Sequence, residues 1–63
     1  MTDFQVVDGG SVFLLIPQSD EARTWVDEHI PADAPVFGQG IAVEARYIHP
    51  ILFGIVEDGL SYE

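Results

Sequence analysis

The sequence predicts a small α+β domain: a two-layer α/β sandwich in the order β-β-α-β-α-(β), with a mixed sheet of three or four strands and two helices packed on one face. Three observations predict it. Strand-like and helix-like apolar spacings alternate along the chain, the pattern of helices laid on a sheet. The run Val12-Phe13-Leu14-Leu15-Ile16 is continuously apolar and rich in β-branched and aromatic residues, as an interior strand is. The chain has 63 residues, 48% of them hydrophobic, which suits one domain and is too apolar for a disordered chain.

Each element has its own signal. Phe4-Gln5-Val6-Val7 and Ser11–Ile16 read as antiparallel strands joined by Asp8-Gly9-Gly10, where glycine supplies the positive φ of a tight turn. Pro17 has no N–H for a ladder and ends the second strand. Ser19-Asp20-Glu21 opens a helix, the serine capping free N–H groups and the two acids suiting the positive helix end. Ala22, Trp25, Val26 and Ile30 or His29 make its apolar stripe, with Asp20, Arg23, Asp27 and Glu28 outside. Arg23 is spaced to meet Asp27 one turn on. His29 stands in the last turn, and Pro31 stops the helix before the stiff 31–35 loop.

Val36-Phe37 leads into Gly38-Gln39-Gly40, a turn or bulge, and Ile41-Ala42-Val43 is a short strand. A second helix begins near Ala45, with Ile48, Ile51, Leu52, Ile55 and Val56 as its buried stripe. Pro50 is tolerable only in a first turn, so the regular helix is expected from Tyr47 or His49 to Asp58. Gly54 weakens it by about 1 kcal/mol and allows a close approach. Gly59 suits the left-handed residue that follows a helix, and Leu60-Ser61-Tyr62 suits a last short strand. The 11–16 strand is then expected between its hairpin partner and Ile41–Val43, under Trp25 and the second-helix stripe. Two helices cannot cover both faces of the sheet, so alternate residues of that strand must meet the chain's end, a second copy or a partner.

Charge narrows the function classes. Eleven acids face two basic residues, a formal net charge of −9, which excludes direct nucleic-acid binding because phosphate contacts need cations. Such a chain is drawn to basic surfaces, including nucleic-acid-binding sites of other proteins. Solubility or adaptation to high salt explains the same charge. There are no cysteines, hence no disulfide and no thiolate metal site. The N-terminus lacks a basic leader, and no run approaches about 20 apolar residues, so a cytoplasmic protein is expected.

Several pieces resemble a known group: Gly10-Ser11 before an apolar strand, Ala22-Arg23-Thr24-Trp25-Val26 with Glu28-His29, Phe37-Gly38, and Val43-Glu44-Ala45-Arg46-Tyr47-Ile48 with Asp58-Gly59. Over residues 10–60 the chain is similar to short, uncharacterised bacterial and phage-associated α/β proteins. The resemblance implies a fold and no activity, so no functional residue is carried over. His49-Pro50 departs from the uninterrupted helix it implies.

No enzyme, cofactor or metal is expected. Ser19 is better explained as a cap and Ser11 as a turn residue than as nucleophiles beside His29 or His49. Asp20-Glu21, Asp27-Glu28 and Glu57-Asp58 are neighbours that point apart on a helix, and Asp-Glu-His at 27–29 lacks the i, i+4 spacing of helical metal ligands. Gly38-Gln39-Gly40 precedes a strand and has no lysine, unlike a phosphate loop. What remains is surface. Phe53 falls off the second-helix stripe, with His49 one turn before it and Val56 after it, and is either exposed or, if the helix is rotated, core. Tyr47, Arg46 and Tyr62 are a weaker fringe.

Two readings follow. In the first, the chain is an acidic, non-enzymatic interaction module whose contacts are Asp20, Glu21, Asp27, Glu28, His49, Phe53, Glu57 and Asp58. Its concrete form is an inhibitor carried by a phage or mobile element, an anti-CRISPR-like nucleic-acid mimic docking on a basic surface of a host nucleic-acid-binding complex. In the second, it is a self-associating structural or regulatory domain of a halophile, a homodimer through an edge strand or the second helix.

Overall fold

The computed structural model describes residues 2–63. Its elements are β1 (Phe4–Asp8), β2 (Val12–Pro17), α1 (Asp20–His29), β3 (Val36–Phe37), β4 (Gly40–Glu44) and α2 (Ala45–Glu57). The sheet order is β1-β2-β4-β3, and every ladder between these strands is antiparallel. β2 and β3 therefore run parallel with β4 between them, and α1 is the crossover that joins them. The expected interior strand is interior, flanked by its hairpin partner and by β4. After α2, Tyr62 forms a parallel bridge with Phe4, and residues 61–63 bond to β1 from Ser61 O to Phe4 N (3.0 Å) and from Glu63 O to Val6 N (2.8 Å). The last short strand expected over Leu60-Ser61-Tyr62 is thus reduced to a single bridge at Tyr62.

Local chemistry explains the boundaries. Gly10 takes φ 92° in the hairpin loop, where Asp8 Oδ1 accepts from Gly10 N–H at 2.8 Å. Ser19 is extended and its hydroxyl accepts from Ala22 N–H at 3.1 Å, capping α1. At the end of α2, Gly59 N–H donates to Val56 O and Leu60 N–H to Ile55 O, with Gly59 at φ 83°: the paired closing bonds of a left-handed helix stop. Among the described residues no helix is long and apolar enough to cross a membrane.

Three expectations are corrected. Val36-Phe37 is a strand in its own right, paired to β4 across the two-residue loop Gly38-Gln39. α2 begins at Ala45, not at Tyr47 or His49, and runs unbroken through Pro50, a full turn inside it. Pro50 cannot donate to the Arg46 carbonyl. The extra turn is held from outside, by Ala45 N–H donating to Ser11 O at 3.0 Å and by Ile48 in the core. Arg23 pairs with Asp20 (3.1 Å), not Asp27, because helical side chains lean toward the N-terminus.

Register places every strand residue on one of two faces. Pairs Phe4–Pro17, Val6–Leu15, Phe13–Val43 and Leu15–Ile41 share the helix-covered face. The core is Phe4, Leu15, Ile41 and Val43 from the sheet with Ala22, Trp25, Ile48 and Ile55 from the helices. Both helices thus lie on one side. Trp25 is its hinge point: it meets Phe4 edge-on at 5.9 Å, and its ring lies 3.3 Å from where a Cβ on Gly54 would stand. The close approach at Gly54 is to this ring.

Candidate functional site

The first surface is an acidic groove. Trp25 and Leu60 form its apolar floor, and Asp20, Glu21, Glu28 and Asp58 stand around it with Thr24, enclosing an open volume of about 650 Å³. The three α1 acids belong to one helix flank. Asp58 arrives from the far end of the chain, brought there by the stop after α2. It is held in place: Trp25 Nε1 donates to Asp58 Oδ2 at 2.7 Å, and His29 Nε2 stands 3.6 Å from the same oxygen. His29 stacks on Trp25 at 4.2 Å with its Nδ1 on the Trp25 carbonyl at 2.9 Å. Since a carbonyl only accepts, that nitrogen carries the proton.

The chain's own arginines pair with only one acid of this surface, Asp20. Arg23 is bound to Asp20, and Arg46 lies 3.3 Å from Glu44 and over the Tyr47 ring at 4.9 Å. Among the described residues no lysine or arginine reaches Glu21, Glu28 or Asp58. The groove can therefore take a guanidinium or ammonium group, its carboxylates meeting the charge and Trp25 and Leu60 meeting the aliphatic stem.

The second surface is the face of the sheet away from the helices. Val7, Val12, Leu14, Ile16, Ala42 and Phe37 point there by register. No helix covers them. Phe37 is 63% exposed, and Val7 and Val12 are also exposed.

The expected contact residues separate accordingly. Asp20, Glu21, Glu28 and Asp58 come together. Asp27 does not line the groove and borders a separate shallow hollow with Val26, Ile30 and Val36. Glu57 is exposed at the end of α2. His49, Phe53 and Val56 share the outward stripe of α2, with Phe53 69% exposed. Phe53 is surface, and Val56 is not part of the buried stripe. Arg46 and Tyr47 meet, while Tyr62 sits at the opposite edge beside Phe4. The groove floor was not foreseen. Trp25 reads as core from its spacing, and only Asp58's return to α1 turns its edge into part of a site. The open face was foreseen from the uninterrupted apolar run.

No known protein family, curated protein or solved structure matches the chain. The resemblance to short phage-associated proteins rests on the sequence pieces alone.

Proposed function

We infer that this protein is a non-enzymatic interaction module that docks on a basic protein surface through the acidic groove. The observation that supports it most is that each arginine pairs with a nearby acid, Arg23 with Asp20 and Arg46 with Glu44, so that among the described residues no lysine or arginine reaches Glu21, Glu28 or Asp58. Long-range attraction then steers the encounter, and the Trp25–Leu60 floor receives the stem of an incoming arginine or lysine. In its concrete form the module acts in the cytoplasm as an inhibitor carried by a phage or mobile element. It occupies a groove that a host complex, such as a CRISPR effector, uses for DNA or RNA. The 11 to 2 ratio of acids to bases supports that form.

Trp25 is the sole tryptophan and lines the groove, so its fluorescence reports occupancy. Titration with an oligoarginine peptide is expected to give a saturable change whose Kd rises steeply with salt. Replacing Glu21 and Glu28 by glutamine should weaken binding roughly threefold per charge. Equal binding by the doubly neutralised protein, or binding indifferent to salt, removes the groove as the site. Competition against DNA for a purified effector complex tests the inhibitor form, and undiminished DNA binding rejects it.

A further inference from the structure

His29 does not line the acidic groove, but it contacts two residues that do, Trp25 and Asp58. Its ring stacks on Trp25, with centroids 4.2 Å apart and planes 15° from parallel. Its Nε2 stands 3.6 Å from Asp58 Oδ2, the oxygen that accepts from Trp25 Nε1 at 2.7 Å. Three side chains, two from α1 and one from beyond α2, thus meet at one carboxylate oxygen of the groove.

Hydrogen bonding decides which imidazole nitrogen is free to act. Nδ1 donates to the Trp25 carbonyl at 2.9 Å, so in the neutral ring Nε2 carries a lone pair. It then faces Asp58 Oδ2, acceptor against acceptor. A proton on Nε2 turns the same contact into an ion pair of imidazolium and carboxylate. The charge of Asp58 is then met from within the chain, and the groove offers an incoming cation one free carboxylate fewer. We propose that His29 is a proton switch on the groove: in its neutral form Asp58 is available to a guanidinium or ammonium group, and in its protonated form it is not. The switch rests on the reading of the groove as a cation site.

The groups around His29 agree with this role. Asp58 faces it from the end of α2. Across the hollow that His29 shares with Ile30, Ala42 and Ile51 stand Glu44 of β4 and Tyr47 of α2, and Glu44 is already paired with Arg46. On its own helix Glu28 is the adjacent residue, and it lines the groove beside Asp58. Carboxyl groups ordinarily take up protons at about pH 4 and imidazoles at about pH 6.5. Between about pH 8 and pH 5.5 the change in side-chain charge therefore falls to the two histidines. His49, the other one, stands on the outward stripe of α2 and does not line the groove.

Titration of Trp25 fluorescence with an oligoarginine peptide at about pH 8 and about pH 5.5, at constant ionic strength, tests the switch on wild type and His29→Gln. The wild-type Kd should rise roughly threefold at the lower pH, the effect of one groove charge. His29→Gln cannot take up the proton and should hold nearly the same affinity at both. A proton NMR titration of the His29 ring in the wild type gives a second reading that needs no substitution. Linkage is reciprocal, so saturating peptide should move the His29 midpoint to lower pH by the same factor. Wild-type binding of equal strength at both pH values overturns the switch and leaves the groove in place. So does a pH dependence kept in full by His29→Gln, or a His29 midpoint indifferent to the peptide. Absence of binding at either pH removes the groove reading, and the switch with it.

Discussion

The two faces of the sheet are built from the same kinds of residue and put to opposite uses. Leu14 and Leu15 are neighbours on β2. Leu15 is fully buried beneath the helix layer, while Leu14, one pleat away, lies on the open side. Composition cannot distinguish them. Topology does, because both helices fall on one side of the sheet and the fold has no third layer. Acids divide in parallel: the groove belongs to the helix side, and on the open face Glu44 stands opposite Val12 at the end of β4, paired with Arg46. One side of the molecule is therefore suited to charge, the other to shape.

Leucine truncation at the two positions is the strongest way to break that contrast. Leu15→Ala should cost about 2–5 kcal/mol, as for other fully buried leucines. A domain of this size has only about 3–9 kcal/mol in total, so most of the folded population is at stake. Leu14→Ala should cost less, about 1–2 kcal/mol in dilute solution, since that side chain is only partly buried. Urea titrations at low protein concentration, followed by Trp25 fluorescence, measure both. Equal losses would mean that the open face is covered within a single chain, and the two-face picture would fall.

Asp58 sharpens the contrast from the other side, because it belongs to fold and groove together. Asp58→Ala leaves Trp25 Nε1 without its acceptor and should cost about 1 kcal/mol. Asp58→Asn keeps an acceptor oxygen and removes the charge. It should retain most of the stability while weakening oligoarginine binding about as much as loss of one groove carboxylate. Thermal melts and the Trp25 titration on the two variants separate the roles. If asparagine destabilises as much as alanine, the charge beside His29 is itself structural.

How much of this was legible in the sequence differs by feature. The central place of β2 was legible because a continuous apolar run fits only an interior strand. Its half-covered state followed from counting helices against faces. The start of α2 was misplaced because Pro50 argues locally against a helix there. The Ser11 carbonyl and the pocket for Ile48, which outweigh it, belong to other parts of the chain. β3 was missed since two residues carry no periodicity. The groove was half visible: Asp20, Glu21 and Glu28 are close in sequence, but Asp58 lies some thirty residues away and only folding brings it to Trp25. The hydrogen bonds by which Asp3 ties Ser19 to Ser61 were missed altogether, because nothing in the local sequence links residues so far apart.

Asp3 offers the subtlest test, at the seam where β1, the α1 cap and the chain end meet. Its Oδ1 accepts from the Ser19 hydroxyl at 2.7 Å, and that hydroxyl in turn accepts from Ala22 N–H. Its Oδ2 accepts from Ser61 N–H at 3.0 Å and from the Ser61 hydroxyl at 3.3 Å. The Ser19 bond first, then the Ser61 backbone, favour the ionised carboxyl and hold its pKa below the ordinary 3.8. The folded state thus takes up this proton less readily than the unfolded chain. The stabilisation is complete above the ordinary value and is lost as pH falls through the lowered one. Protonation of the other acids works in the opposite direction by relieving self-repulsion, so the wild-type acid limb alone is ambiguous. The difference between wild type and Asp3→Asn isolates the contribution. Their stabilities should differ by a constant amount at neutral pH and converge below the ordinary carboxyl range. Parallel curves through that range would show that the bracket does not depend on the charge of Asp3, leaving the serine hydroxyls to hold the seam between sheet and helix.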